Sequence, residues 1–166
     1  METKLDLEIR PMTTRAVEVI SKWKYEEPYS IYSMNGSEKL KKELMNGTYY
    51  SVYNENNLIG YYCFGRSAQV PAGDKFGVYK DSEFVDIGLG LKPDLCGQGL
   101  GTEFVRKGLD YGYHLFLKNK YRLTVAEFNK RAFKVYKKLG FETKDSFETE
   151  IGDGIRFIVM IKRNKE

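Results

Sequence analysis

The chain of 166 residues has one histidine, two cysteines and one tryptophan. The lone His114, with Cys63 and Cys96 far apart in sequence, gives neither a CxxC pair nor a metal-ligand spacing, so neither a zinc site nor a disulfide framework is expected. No apolar run approaches the ~20 residues that a membrane-spanning helix needs. The opening Met1-Glu2-Thr3-Lys4-Leu5-Asp6 has no apolar segment of a secretory signal. A cytoplasmic setting with no membrane partner is therefore expected. Charge of one sign is also missing: 27 Lys and Arg are scattered among 23 Asp and Glu, for a formal net charge of +4. That is the pattern of a solvated surface, and no nucleic-acid partner is expected. There is no internal repeat, low-complexity tract or linker. What is present is 42% hydrophobic and 14% aromatic, and residues 1–166 read as one domain able to bury a sizeable core.

Periodicity gives the order of elements. Leu5 to Arg10 alternates apolar and polar residues as a half-buried strand does, and Pro11 ends it. Thr13 or Thr14 caps a helix carrying Ala16, Val17, Ile20 and Trp23, and Ser37 starts a second one with Leu40 and Leu44 that stops at Asn46-Gly47. Between them the aromatic, proline-broken stretch Tyr25 to Tyr32 reads as a lid or wall. Thr48–Tyr53 and Leu58–Phe64 form an antiparallel hairpin around Asn54-Glu55-Asn56-Asn57. Gly65 to Ser82 is a long loop, and Phe84–Leu91 is the next strand. A helix runs from Leu100 through Phe104, Gly108, Gly112 and Phe116, its two glycines suited to close packing on the sheet. Then come a strand at Tyr121–Ala126, a helix from Lys130 to Leu139 ended by Gly140, and a closing hairpin, Phe147–Ile151 and Ile155–Ile161, around Gly152-Asp153-Gly154. The order β-α-α-β-β-β-α-β-α-β-β is a mixed α/β (α+β) layout, with a partly parallel twisted sheet flanked by helices.

The densest signal is Leu95-Cys96-Gly97-Gln98-Gly99-Leu100-Gly101-Thr102, between a strand and a helix. Glycines let a ligand approach bare backbone, and the first N–H groups of the following helix have no intrahelical partner. With the positive end of the helix dipole they make an anion site, which points to a phosphorylated ligand. A tight strand-to-helix turn is the plainer alternative. A P-loop is excluded because Gly101-Thr102-Glu103 lacks the lysine, and a dinucleotide fingerprint because the spacing is G-x-G-x-G.

A second motif, Asn129-Lys130-Arg131-Ala132-Phe133-Lys134-Val135-Tyr136-Lys137-Lys138-Leu139-Gly140-Phe141, places Asn129 where a helix cap belongs and Tyr136 about two turns later. Taken alone it would also suit an amphipathic helix whose Phe133, Tyr136 and Leu139 fill a core. Together the two motifs resemble those of the GNAT superfamily of N-acetyltransferases: [Q/R]-x-x-G-x-[G/A] falls on Cys96 to Gly101, with cysteine at its first position, and N-x-x-[AS]-x-x-x-Y-x-x-x-G-[FY] is filled throughout. The element order is also that of the GNAT fold.

The resemblance implies an acyltransferase that moves the acetyl group of acetyl-CoA to a primary amine by direct attack in a ternary complex, with no metal. It implies that Cys96, Gly97, Gln98, Gly99, Leu100, Gly101 and Thr102 hold the pyrophosphate. Leu89, Gly90 and Leu91 would bond the pantetheine like an added strand, with Asn129 and Ala132 beside it. Tyr136 would be the general acid for the leaving thiolate. Asp86 is the candidate general base, and Glu83 the substitute. Lys130, Arg131, Lys134 and Lys137 either meet coenzyme phosphates or form a solvated helix face. Cys96, in the phosphate loop, is badly placed for a nucleophile. Acceptor contacts are expected from Trp23–Asn35 and Arg66–Ser82, with Glu26, Glu27, Tyr29 and Tyr32 suited to an amine with positive charge and some apolar surface. The acceptor stays open between a small-molecule amine and a peptide or protein amine. Transfer of another acyl group and a catalytically silent CoA-binding or sensor module are the competing readings. Open sheet edges and many aromatics would suit a homodimer.

Overall fold

A computed structural model describes residues 5–150 and 154–163. Strands β1 (Leu7–Pro11), β2 (Tyr49–Asn54), β3 (Asn57–Phe64), β4 (Val85–Leu91), β5 (Lys120–Ala126), β6 (Glu142–Thr149) and β7 (Ile155–Arg163) alternate with helices α1 (Thr14–Ile20), α2 (Glu38–Leu44), α3 (Gly101–Phe116) and α4 (Lys130–Lys138) in the expected order. The strands form one sheet in the order β1-β2-β3-β4-β5-β7-β6. Only β4 and β5 are parallel neighbours; every other adjacent pair is antiparallel. The crossover through α4 does deliver β6 parallel to β5 in direction, but β7 inserts between them. The last hairpin starts earlier than its apolar residues suggest, because Glu142 to Ser146 of β6 are exposed and the strand is held by its pairing with β7. Its turn at Gly152-Asp153 lies outside the described residues.

The helices begin where capping chemistry starts them. The Thr13 hydroxyl accepts from the Ala16 N–H at 3.1 Å and that of Ser37 from the Leu40 N–H at 3.1 Å, each cap contributing about 1 kcal/mol. Helices α1 and α2 cover one face of the sheet through Ala16, Val17, Ile20 and Leu44, with Trp23 just after α1, against Tyr49 and Cys63. Helices α3 and α4 cover the other through Phe104, Val105, Leu109 and Tyr136, against Tyr62, Phe64, Ile87, Tyr121 and Leu123. Large side chains buried this completely contribute about 1.5–3 kcal/mol each. Helix α3 sits close to the sheet because a Cβ at Gly108 would lie 2.7 Å from the Tyr62 ring and one at Gly112 2.9 Å from that of Phe64.

The long segment 65–82 is not loose. It forms two 3-10 turns, Gly65–Ala68 and Pro71–Phe76, and its later part packs on the end of the sheet, where Val78, Phe147, Phe157 and Val159 make a third cluster with Val70 and Tyr79. Among the described residues no helix is long and apolar enough to cross a membrane.

Candidate active site

The site follows from an interruption in the sheet. Strand β4 runs to Leu91 and β5 to Ala126, yet they pair only at Val85 with Tyr121 and Asp86 with Arg122. Among the described residues β4 beyond that point is bonded to β3 alone, through Gly60 to Phe64, so the backbone groups of Ile87 to Leu91 that point toward β5 have no described strand to pair with. Backbone N–H and C=O groups require partners, and an extended ligand would supply them here by adding to the open edge. A cavity of about 630 Å³ occupies the split, walled on one side by Ile87, Gly88, Leu89, Gly90 and Leu91 and on the other by Leu123, Thr124 and Val125.

One end of the cavity is made of backbone. A short 3-10 turn, Pro93–Leu95, leads into Gly97 and Gly99 with φ of 76° and 79°, conformations that side-chain-bearing residues adopt only with strain. Helix α3 starts immediately afterwards, with Leu100 as a cap that offers no side-chain hydrogen bond. Its first amides are thereby left for an anion. Gly97, Gly99, Gly101 and Thr102 line the cavity, together with Cys96. The Cys96 thiol turns back to the carbonyls of Leu91 and Lys92 at 3.7 and 3.6 Å, and burial raises its pKa. Gln98 and Leu100 do not line the cavity: the Gln98 side chain is exposed and donates to the Asp94 carbonyl at 2.7 Å, while the Leu100 carbonyl accepts the Phe104 N–H at 3.0 Å. Arg131 stands over this loop, its guanidinium Nη1 2.9 Å from where a Cβ on Gly97 would be and its centre 4.6 Å from the Tyr29 ring centroid.

Helix α4 presents its motif residues to the middle of the cavity. Asn129 caps the helix, its Oδ1 accepting the Ala132 N–H at 3.1 Å while its Nδ2 donates to the Tyr32 hydroxyl at 3.3 Å. Asn129, Ala132 and Tyr136 all line the cavity. Tyr136 is 8% exposed and packs edge-on against Phe141, with 5.9 Å between centroids. Burial, with the nearby Tyr32 hydroxyl second, pushes its pKa up, so the phenol keeps its proton. Among the described residues none hydrogen-bonds the Tyr136 hydroxyl, unlike that of the buried Tyr62, which donates to the Phe104 carbonyl at 2.6 Å.

The other end is built of side chains. Tyr25 and Tyr32 from the segment after α1, Tyr49 and Tyr61 from the β2–β3 hairpin, and Ser67 to Val70 close it, while Tyr29 of the same segment lies beside Arg131 at the phosphate end. The Tyr25 hydroxyl donates to the Leu91 carbonyl at 2.7 Å, tying this wall to the free end of β4. Gly90 is required there because a Cβ on it would overlap the Tyr61 ring. Cys63 also lines the cavity, its thiol pushed up to about 12 by burial, so it remains protonated.

The expected acidic residues lie elsewhere. Asp86 is 5% exposed and does not line the cavity. Its Oδ1 accepts from Arg122 Nε at 2.7 Å and its Oδ2 from Arg122 Nη2 at 2.8 Å and Gln69 Nε2 at 3.0 Å. Arg122 also donates to the carbonyls of Asp81 and Tyr79 at 3.0 and 3.2 Å. This buried pair stands at the last β4–β5 register position, where the strands part, with Asp86 already held by three hydrogen bonds. Glu83 is exposed and pairs with Lys120 at 3.1 Å. Glu26 and Glu27 point outward, and Glu27 accepts a hydrogen bond from the Ser30 hydroxyl. His114 is exposed and outside the cavity lining. The residues that sequence reasoning did not single out, Tyr49, Tyr61, Gln69 and Thr124, left one faint signal: Tyr49 and Cys63 are register partners and Tyr61 lies two residues from Cys63, which puts all three on one face of the hairpin.

Comparison with known proteins agrees with this geometry. Residues 6–142 match the family model described as an acetyltransferase (GNAT) domain. No curated protein sequence matches the chain. Among solved structures, a GNAT-family acetyltransferase from Bacillus anthracis superposes with a TM-score of 0.74 over 100% of both chains at 18% identity. A chimera of spermidine N-acetyltransferases from Vibrio cholerae and hSSAT gives 0.66 over 95% of each chain at 19% identity. The protein yncA from Salmonella typhimurium, whose structure includes its cofactor acetyl-CoA, gives 0.64 over 96% of this chain and 95% of its own at 15% identity. With the split strands, the glycine loop at a helix N-terminus and a family match over most of its length, the chain belongs to the GNAT acetyltransferases.

Proposed function

We propose that the protein transfers the acetyl group of acetyl-CoA to the nitrogen of an amine, directly, with both reactants held in the split between β4 and β5. The observation that carries this reading is the convergence on one cavity of the uncapped α3 amides, the open edge of β4 and the Tyr136 hydroxyl, which no described residue hydrogen-bonds. The pyrophosphate suits the amides of Gly97 to Thr102 with Arg131 above them, and the pantetheine amides suit the free edge at Leu89 to Leu91. The bound thioester supplies a carbonyl carbon open to amine attack. Positioning is the larger part of the chain's contribution: two reactants fixed side by side react as if at very high local concentration. Tyr136 supplies the proton for the departing sulfur, and its raised pKa keeps that proton available across the neutral range. Asp86 is assigned the task of joining β4 to β5 at the mouth of the split, and Glu83 that of a surface ion pair.

The test is release of free thiol from acetyl-CoA by the purified protein across amino-acid amides, aromatic amines, polyamines, aminoglycosides and short peptides, with the acetylated product identified by mass. Turnover of one class is expected. Binding of acetyl-CoA without turnover of any class would favour a binding module over a transferase.

A further inference from the structure

The acceptor end of the cavity carries no countercharge. Among the described residues that line it, none is Asp, Glu, Lys or His, and Arg131, at the phosphate end, is the one ionised group. The acidic residues that could have served are engaged or turned away: Asp86 by Arg122 and Gln69, Glu83 by Lys120, Glu27 by Ser30, with Glu26 on the outer surface. In their place stand the phenols of Tyr25, Tyr32, Tyr49 and Tyr61, the side chains of Ser67 and Thr124, and the apolar Val70. Burial raises the pKa of all four phenols, so none becomes an anion at neutral pH.

Two physical consequences point the same way. An ammonium brought into a buried site without a countercharge faces a desolvation cost so large that it gives up its proton instead. With no carboxylate or imidazole in the lining to take that proton, the amine must arrive neutral from solution. Aromatic walls edged by hydroxyls, meanwhile, favour a flat or apolar body with a few hydrogen-bonding groups.

Building on the acetyltransferase reading above, we infer that the acceptor is a weakly basic amine carried on an aromatic or apolar body with no second positive charge, the α-amino group of an aromatic amino-acid amide or peptide being of that kind, and not a polyamine. The spermidine acetyltransferase chimera shares the fold, but polyamine recognition would require carboxylates that this cavity lacks.

Three probes separate basicity from shape: L-phenylalaninamide, phenethylamine and spermidine. At pH 7 an α-amino group of pKa roughly 7.7 is about one-sixth neutral, whereas an alkylamine of pKa roughly 10.4 is about 1/2500 neutral. With saturating acetyl-CoA, kcat/KM for phenylalaninamide is expected to exceed that for phenethylamine by about a hundredfold or more, with spermidine lowest. Calorimetry of each amine against the protein bound to desulfo-CoA should rank their affinities in the same order. The variant Ser67→Asp, which places a carboxylate in the lining, should raise kcat/KM for spermidine by about tenfold. Spermidine used as well as phenylalaninamide by the unmodified protein would overturn the inference and leave the transferase reading standing. Acetyl-CoA binding with no turnover of any of the three amines would count against both.

Discussion

The two ends of the cavity are made of different material. The phosphate end is backbone: Gly97 and Gly99 in left-handed conformations and the uncapped amides of α3, all within six consecutive residues. The acceptor end is side chain, and it draws on the segment after α1, on two strands and on the 65–68 turn with its flanking residues. A ligand group that recurs in every reaction cycle can be held by groups that do not depend on side-chain identity. A specificity pocket is a choice among side chains. The buried pair Asp86–Arg122 belongs to neither end and stands at the last paired position of β4 and β5, where the strands divide.

Breaking each part should therefore break a different measurable quantity. The largest effect is expected at the centre: Tyr136→Phe should lower turnover ~10²–10⁴-fold, the usual contribution of a placed general acid, with acetyl-CoA affinity from calorimetry unchanged. Unaltered turnover would remove Tyr136 from the acid role. Next is the dividing point, where Asp86→Ala leaves the Arg122 guanidinium buried without its partner and should cost about 3–5 kcal/mol of stability in urea unfolding. Glu83→Ala, at an exposed pair, should cost no more than about 1 kcal/mol. A base role for Asp86 would instead show as lost turnover in a variant of full stability.

Smaller effects belong to the phosphate end. Gly97→Ala places a Cβ against Arg131 in a left-handed backbone that disfavours it by about 1–2 kcal/mol. Acetyl-CoA affinity should fall about tenfold, with turnover at saturation nearly preserved. Arg131→Ala should weaken acetyl-CoA about fivefold at low salt, and the difference should shrink at high ionic strength because the guanidinium is exposed and its charge is screened. Both are read by calorimetry. If either changed acceptor KM more than acetyl-CoA affinity, the division of labour between the two ends would be wrong.

That division also explains what the sequence disclosed. The element order, both helix caps and the glycine loop were legible because each rests on local chemistry: Thr13 and Ser37 bond amides three residues ahead, and Gly97 and Gly99 mark a backbone that other residues strain to adopt. The position of β7 between β5 and β6 was not legible, since strand order depends on long-range pairing. The pairing of the candidate base Asp86 with Arg122 was not legible either, since the two are 36 residues apart. Glu26 and Glu27 were in the right segment, but the stretch Tyr25 to Tyr32 turns its tyrosines inward and its acids outward, and composition does not carry that orientation. The tyrosines of β2 and β3 went unnoticed because an alternating strand fills a core and lines a pocket with the same pattern.

The most direct measurement is titration of ¹⁵N-labelled protein with acetyl-CoA, following backbone amides by NMR. The largest shifts are predicted at Leu89 to Leu91 and Gly97 to Thr102, with smaller ones at Asn129 to Ala132. Binding that left those amides unmoved, or moved a different surface, would contradict the placement of acetyl-CoA in the split between β4 and β5.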